Sequence, residues 1–276
     1  MKCKRRTKRI LLAAAILLLA VALTFVGGAF VPNLCFFRPV HNIDAQAAIR
    51  AHIDVRPLTL QTDDATRSGF ACGTATDTIV LLYCGGGEDA SSTLLALLDA
   101  GGIEAFSGTT LVLFDYPSFG DSTGKASEAS FYAFGLETFD WAASAYPTSR
   151  LILAGYSIGT GVATYVASQR EADGLLLLAP FDTGKHVYTD GSLFMQVFCV
   201  LSPDIFPSDA LAPLCAEPTL LVCGLADTVT PPAQGARLAA LFPKSSVCFV
   251  SDATHGDLMQ KPETVDAIRA FLAARP

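Results

Sequence analysis

Apolar and polar positions follow three regimes along this chain. From Ile10 to Val31, 22 residues pass without a charge. As a helix that run would span about 33 Å, enough for the hydrocarbon core of a bilayer. Beyond it, short apolar runs rich in β-branched residues alternate with segments of helical period. Val55–Gln61 and Ser68–Cys72 read as two short strands around a turn at Thr62–Thr66. Thr78–Cys84, Thr109–Tyr116, Arg150–Gly155, Leu175–Ala179, Thr219–Gly224 and Ser246–Ser251 read as further strands. Helical patterns cover Glu88–Leu98, Ser127–Tyr146, Gly159–Gln169, Ala233–Leu241 and Val265–Ala274. Strands that alternate with helices predict a mostly parallel sheet covered on both faces. The third regime is Phe181–Glu217. It is too long for a simple connection between two strands, so it predicts a lid or helical insertion.

With no internal repeat and no low-complexity linker, residues 32–276 form one expected domain behind a 10–31 anchor and a 1–9 basic segment. That segment holds Lys2, Lys4, Arg5, Arg6, Lys8 and Arg9 and no acid. The remaining 13 basic residues face all 26 acidic ones, so residues 10–276 carry −13. A body so acidic repels phosphate backbones, which argues against nucleic acid as a partner. Basic residues before an apolar run place the N-terminus in the cytoplasm and the body outside. The rival is a cleaved signal peptide with Gly27 and Ala29 before the cut, which would leave the body secreted. The apolar run is longer than such a peptide needs.

The sequence has eight cysteines and no Cys-x-x-Cys pair, so zinc and dithiol chemistry have no support. Cys84, Cys223 and Cys248 sit in apolar runs as small buried hydrophobes. A Cys199–Cys215 bridge stays open.

Gly155-Tyr156-Ser157-Ile158-Gly159 matches G-x-S-x-G between an expected strand and an expected helix. A sharp turn there presents a serine hydroxyl above the sheet edge, facing unpaired N–H groups of the new helix. Serine needs a base, and the base needs an acid to orient it. Of the four histidines, His41 and His52 precede the sheet and His186 lies in the insertion. His255 alone follows a strand. Asp227 follows Thr219–Gly224, and Asp182 is the competing acid. Ser157, Asp227 and His255 occur in the chain order of a triad at strand ends. For an oxyanion, the backbone N–H of Ile158 is one expected donor. Gly86 or Gly87, in the Gly85–Gly87 loop, is the other. The same loop offers a competing reading: Gly85 to Ala90 fits G-x-G-x-x-A, with Asp115 on the next strand as the ribose acid of a dinucleotide site. Glu88 and Asp89 would repel a pyrophosphate there.

From Val55 onward the chain resembles the α/β-hydrolases, in their membrane-anchored, single-domain branch with acyl-protein thioesterase-like and monoacylglycerol-lipase-like enzymes. The likeness rests on Tyr83–Asp89, on Asp115-Tyr116-Pro117 with Gly120, Ser122 and Gly124, on Gly155–Gly161, on Gly224–Pro231 and on His255-Gly256-Asp257. It implies a serine hydrolase of ester, thioester or amide bonds that uses Ser157, Asp227 and His255 with no metal or cofactor. The implied partners are a small-molecule or acylated substrate and, through residues 10–31, a membrane. A departure is Cys84-Gly85, where many relatives carry His-Gly. A catalytically silent scaffold that only binds is the alternative. Phe181, Tyr188, Phe194, Met195, Phe198 and Phe206 make the insertion apolar enough for an acyl-chain lid or for packing onto the body.

Overall fold

The computed structural model describes residues 2–62, 64–200 and 202–274, with side chains placed except at 2–7 and 27–29. The first residue of the expected basic segment, its side chains through Thr7, and the Gly27 and Ala29 side chains lie outside the described residues.

An N-terminal helix α1 (Lys2–Phe36) precedes α2 (Ile43–Ala51), β1 (Val55–Gln61), β2 (Thr66–Cys72) and β3 (Thr78–Tyr83). Next come α3 (Ala90–Asp99), β4 (Thr110–Phe114), α4 (Glu128–Ala145), β5 (Arg150–Tyr156), α5 (Ile158–Gln169) and β6 (Gly174–Leu178). The insertion carries α6 (Gly184–Thr189), α7 (Leu193–Phe198) and α8 (Ser208–Leu211). It returns to β7 (Thr219–Gly224), α9 (Pro232–Ala239), β8 (Ser245–Val250) and α10 (Pro262–Ala273).

Among the described residues, eight strands form one sheet in the order β1-β2-β4-β3-β5-β6-β7-β8. β1 runs antiparallel to β2 and β2 to β4, and every other pair is parallel. Burial explains which strands read as continuous apolar runs. β3, β4, β6 and β7 are buried at every position because helices cover both faces. The edge strands β1 and β8 are largely exposed, and β1 tolerates Pro57 because an edge has N–H groups that need no partner. Chain order reverses at β3, which has β4 on one side and β5 on the other. In an open parallel sheet, that reversal leaves a crevice beyond the strand ends.

Local chemistry fixes the helix starts. α3 begins at Ala90 rather than Glu88 because the Asp89 carboxylate accepts the Ser92 N–H at 2.8 Å. Ser127 and Ser130 bond reciprocally at the start of α4. β2 begins two residues earlier than expected. Arg67 is buried there against Glu137 at 2.9 Å, which makes a charged residue tolerable in a core strand. α2 escapes a hydrophobic reading because only Ala45 and Ile49 face inward; Asn42 caps it.

The 10–31 anchor is part of a longer helix. α1 runs unbroken through Pro32 to Phe36, so the expected boundary at residue 32 falls inside it. Phe36 is buried against Phe181 and Phe206, with ring centroids 6.2 and 5.7 Å away. The aromatics of the insertion divide accordingly. Phe181 and Phe206 belong to the core, while Phe194 points outward. Truncating a side chain like Phe206 to alanine should cost about 3–5 kcal/mol.

All seven cysteines whose side chains are described are free thiols, so no Cys199–Cys215 bridge forms. Both are fully buried, and the Cys215 Sγ instead lies 3.6 Å from the carbonyl oxygens of Thr164 and Leu211.

Candidate active site

Ser157 sits where β5 turns into α5, with φ 54° and ψ −120°. That left-handed backbone costs a non-glycine residue roughly 1–3 kcal/mol. The surroundings hold it there: its N–H donates to the Leu178 carbonyl at 2.9 Å, and its own carbonyl accepts the Thr160 N–H at 2.9 Å. The flanking glycines are required by close approach. A side chain at Gly155 would strike the Gly159 carbonyl, and one at Gly159 would strike the Tyr83 carbonyl.

The loops after β7 and β8 bring two more side chains to this turn. His255 Nε2 lies 3.0 Å from Ser157 Oγ, and its Nδ1 lies 2.8 Å from Asp227 Oδ2. Asp227 is acceptor-only when ionised, so Nδ1 carries the proton and Nε2 is free to accept from the serine hydroxyl. The Asp227 side chain is fully enclosed. Burial pushes its pKa up. The His255 hydrogen bond and charge, with the Thr230 N–H and hydroxyl, outweigh burial and hold it below the usual carboxylate range. Oδ1 accepts the N–H groups of Val229 and Thr230 at 2.8 and 2.9 Å, and the Thr230 hydroxyl donates to Oδ2 at 2.8 Å.

Two supporting residues escape a reading by motif. Tyr156 fills a variable position of G-x-S-x-G. Its hydroxyl donates to the His255 carbonyl and its ring stacks on the imidazole at 5.3 Å. Thr230 anchors the acid. Both lay within stretches that carried the family likeness, Gly155–Gly161 and Gly224–Pro231, but neither is a fixed position of a motif.

The expected oxyanion donors meet at the same place. Gly86, Gly87, Ser157, Ile158 and His255 all line one cavity of ≈ 470 Å³. Ile158 opens α5, so its N–H has no partner within the helix. A side chain at Gly87 would meet open space, whereas one at Gly86 would press on Ile158 at 3.2 Å. Leu34, Phe36, Val40, Val187 and Val229 make the remaining wall mostly apolar.

The competing residues are engaged elsewhere. Asp182 accepts from His186 Nδ1 at 2.8 Å and from Arg237 Nε at 2.6 Å. His41 lies beside Asp121, and His52 Nδ1 accepts the Asp54 N–H. The would-be dinucleotide loop is also occupied. Asp89 caps α3, and Asp115, buried rather than facing a ribose, accepts the Ala90 N–H at 2.8 Å. The helix N-terminus that would bind a pyrophosphate is thus filled by two carboxylates.

Comparison with known proteins gives the following likenesses. No family model matches the chain. It is 31% identical over 162 residues to the alpha/beta hydrolase domain-containing protein aho-3 of Caenorhabditis elegans, covering 58% of this chain and 47% of that one. This chain therefore spans about half the length of that relative. Among solved structures it is similar to the Pyrococcus furiosus esterase Pf2001, with TM-score 0.62 and 16% identity over 86% of this chain and 98% of the other. It is also similar to a membrane phospholipase A that is a bacterial virulence factor, with TM-score 0.60 and 20% identity over 96% and 98%.

Proposed function

We propose, for a chain whose fold is that of the α/β-hydrolases, that it hydrolyses carboxylic esters or thioesters with Ser157 as nucleophile, His255 as base and Asp227 as orienting acid. The observation that carries this reading is the unbroken run of hydrogen bonds from Ser157 Oγ through His255 to Asp227, opening into a cavity beside Ile158, Gly86 and Gly87. An esterase and a phospholipase among the structural neighbours are in keeping with it.

The geometry performs the reaction in two halves. His255 Nε2 takes the Ser157 proton as Oγ bonds to the substrate carbonyl carbon, and the carbonyl π electrons move onto oxygen. That oxyanion is stabilised by the Ile158 N–H and by an N–H of Gly86 or Gly87. The electrons return, the bond to the alkoxide or thiolate leaving group breaks, and Nε2 returns the proton to it. An acyl-enzyme remains. Water then attacks with His255 again as base, which frees the acid and restores Ser157. Asp227 keeps its charge throughout and stabilises the transient imidazolium.

α1 is read as the membrane anchor. The most apolar 18-residue stretch within Lys8–Phe36 has mean hydropathy 2.8, and none of that stretch is buried within the protein. With basic residues preceding it, the catalytic domain lies outside the cytoplasm.

A panel of p-nitrophenyl esters from acetate to palmitate, assayed beside Ser157→Ala, tests this function. Hydrolysis of at least one ester, lost in the variant, is expected. A variant that retains the parent's turnover would overturn the assignment.

A further inference from the structure

Helix α7 is amphipathic in the wrong sense for a protein surrounded by water. None of its described residues is buried. Its exposed side is apolar: Leu193 is 76% exposed, Phe194 72%, Val197 61% and, just past its end, Val200 57%. These positions fall at the i, i+1, i+4 and i+7 spacing of a single helix face, with Gln196 at its edge. The inward side is anchored by Cys199, which is fully buried, while Phe198 is half-buried and stacks on Phe194 at 5.6 Å. A surface this apolar and contiguous marks an interaction site rather than scatter.

Its position says what covers it. α7 packs against α1, and α1 carries no charge from Ile10 to Phe36. That stretch is about 40 Å long as a helix, against a hydrocarbon core of about 30 Å. If the core begins near Ile10, the last turns of α1, around Phe30 to Phe36, reach the level of the headgroups. The first charge, Arg38, follows immediately. α7 therefore sits beside the helix at the depth where the chain leaves the lipid. The catalytic cavity stands at the same level, because Leu34, Cys35 and Phe36 form part of its wall.

We propose that α7 is a second membrane-contacting element, seated with its Leu193, Phe194, Val197 and Val200 face in the headgroup–acyl boundary of the phospholipid bilayer that α1 spans. This rests on the reading of α1 as an anchor. An interfacial helix of this kind buries its apolar face about 5–10 Å deep. Two contacts then fix the tilt of the domain, where a single spanning helix would leave it free to swing. The cavity opens at the lipid surface, so an acylated amphiphile reaches Ser157 from the bilayer without crossing water.

The test uses the full chain in phosphatidylcholine vesicles, with or without bromine part-way along the acyl chains. Bromine quenches a tryptophan only at short range. The single native tryptophan, Trp141, packs on Phe114 and Tyr146 and serves as a common background. Phe194→Trp and Val200→Trp place a reporter on the face. Leu241→Trp places one at an exposed turn before β8, at the opposite end of the sheet. We expect the added emission of Phe194→Trp and Val200→Trp to be mostly lost in brominated vesicles and that of Leu241→Trp to be kept. If the chain floats with the vesicles and neither face reporter is quenched, the docking of α7 is wrong and the anchor stands. Equal quenching of Leu241→Trp also overturns it. A chain that does not float with vesicles removes the anchor and this inference together.

Discussion

Two carboxylate–histidine pairs stand on this molecule at the same separation. His255 Nδ1 is 2.8 Å from Asp227, and His186 Nδ1 is 2.8 Å from Asp182. What differs is everything else around them. Asp182 divides its charge between His186 and Arg237, and Arg237 also reaches Asp190, at 3.1 Å. The second pair thus ties the insertion to α9. Among the described residues, Asp227 is bound by neutral N–H and O–H groups besides its histidine. Its charge is left to orient and stabilise one imidazole. The far nitrogen of His255 meets a serine hydroxyl held on a strained turn. A histidine beside an acid is therefore not a site in itself; the group on the other nitrogen and the absence of a competing cation make it one.

The sharpest way to break this comparison is to neutralise each acid in turn. Asp227→Asn should leave the chain folded and lower kcat by about 10⁴-fold, because the imidazole loses the acceptor that sets its tautomer. Asp182→Asn should leave turnover near the parent's. Steady-state kinetics on one ester would show it, and the reverse pattern would reassign the acid. Stability should divide the other way. Asp182→Asn leaves a guanidinium and a histidine without their shared partner, at a cost of about 1–3 kcal/mol in urea titrations, moderated because Arg237 is half-exposed. Both acids have lowered pKa values, so the stability each contributes is present above the unfolded value and is lost as pH falls through the folded one.

A third buried carboxylate, Asp115, sharpens the contrast, since among the described residues no cation pairs with it. Burial pushes Asp115 up to about 7; the Ala90 N–H opposes this and the Asp89 charge adds to it. The sign is then opposite. The folded state holds the proton more tightly, so this contribution is complete at low pH and is lost as pH rises from about 4 towards 7. Asp115→Asn should gain stability relative to the parent across that window, as read from urea midpoints at several pH values. A pH-independent difference would contradict the assignment. The smallest effect belongs to Tyr156→Phe. It removes one hydrogen bond to the His255 carbonyl and keeps the stacked ring, so about 1 kcal/mol of stability is expected to go. Thermal unfolding measures it.

The central strands were legible because both their faces are buried, which turns them into unbroken apolar runs between turn residues. Ser157 and Asp227 were legible for a related reason, since each stands in a turn after a central strand, whereas His255 follows the exposed edge strand β8 and was legible from its place after the last apolar run. Features that depend on partners distant in sequence were not. Pattern placed the start of α3 at Glu88, but Asp89 is the cap, a role decided by one hydrogen bond. Arg67 looked like the end of a turn until Glu137 stood opposite it. That the anchor helix would furnish a wall of the cavity could not be read from its composition. Hydropathy reports that a segment avoids water, and does not report which side chains it meets when it leaves the lipid.

The most direct test of the account is to treat the full chain with a fluorophosphonate and locate the adduct by peptide mass spectrometry. The account predicts modification of Ser157 alone, formed far more slowly in Asp227→Asn and at the parent's rate in Asp182→Asn. A folded chain that takes no adduct, or takes it on another residue, would contradict it.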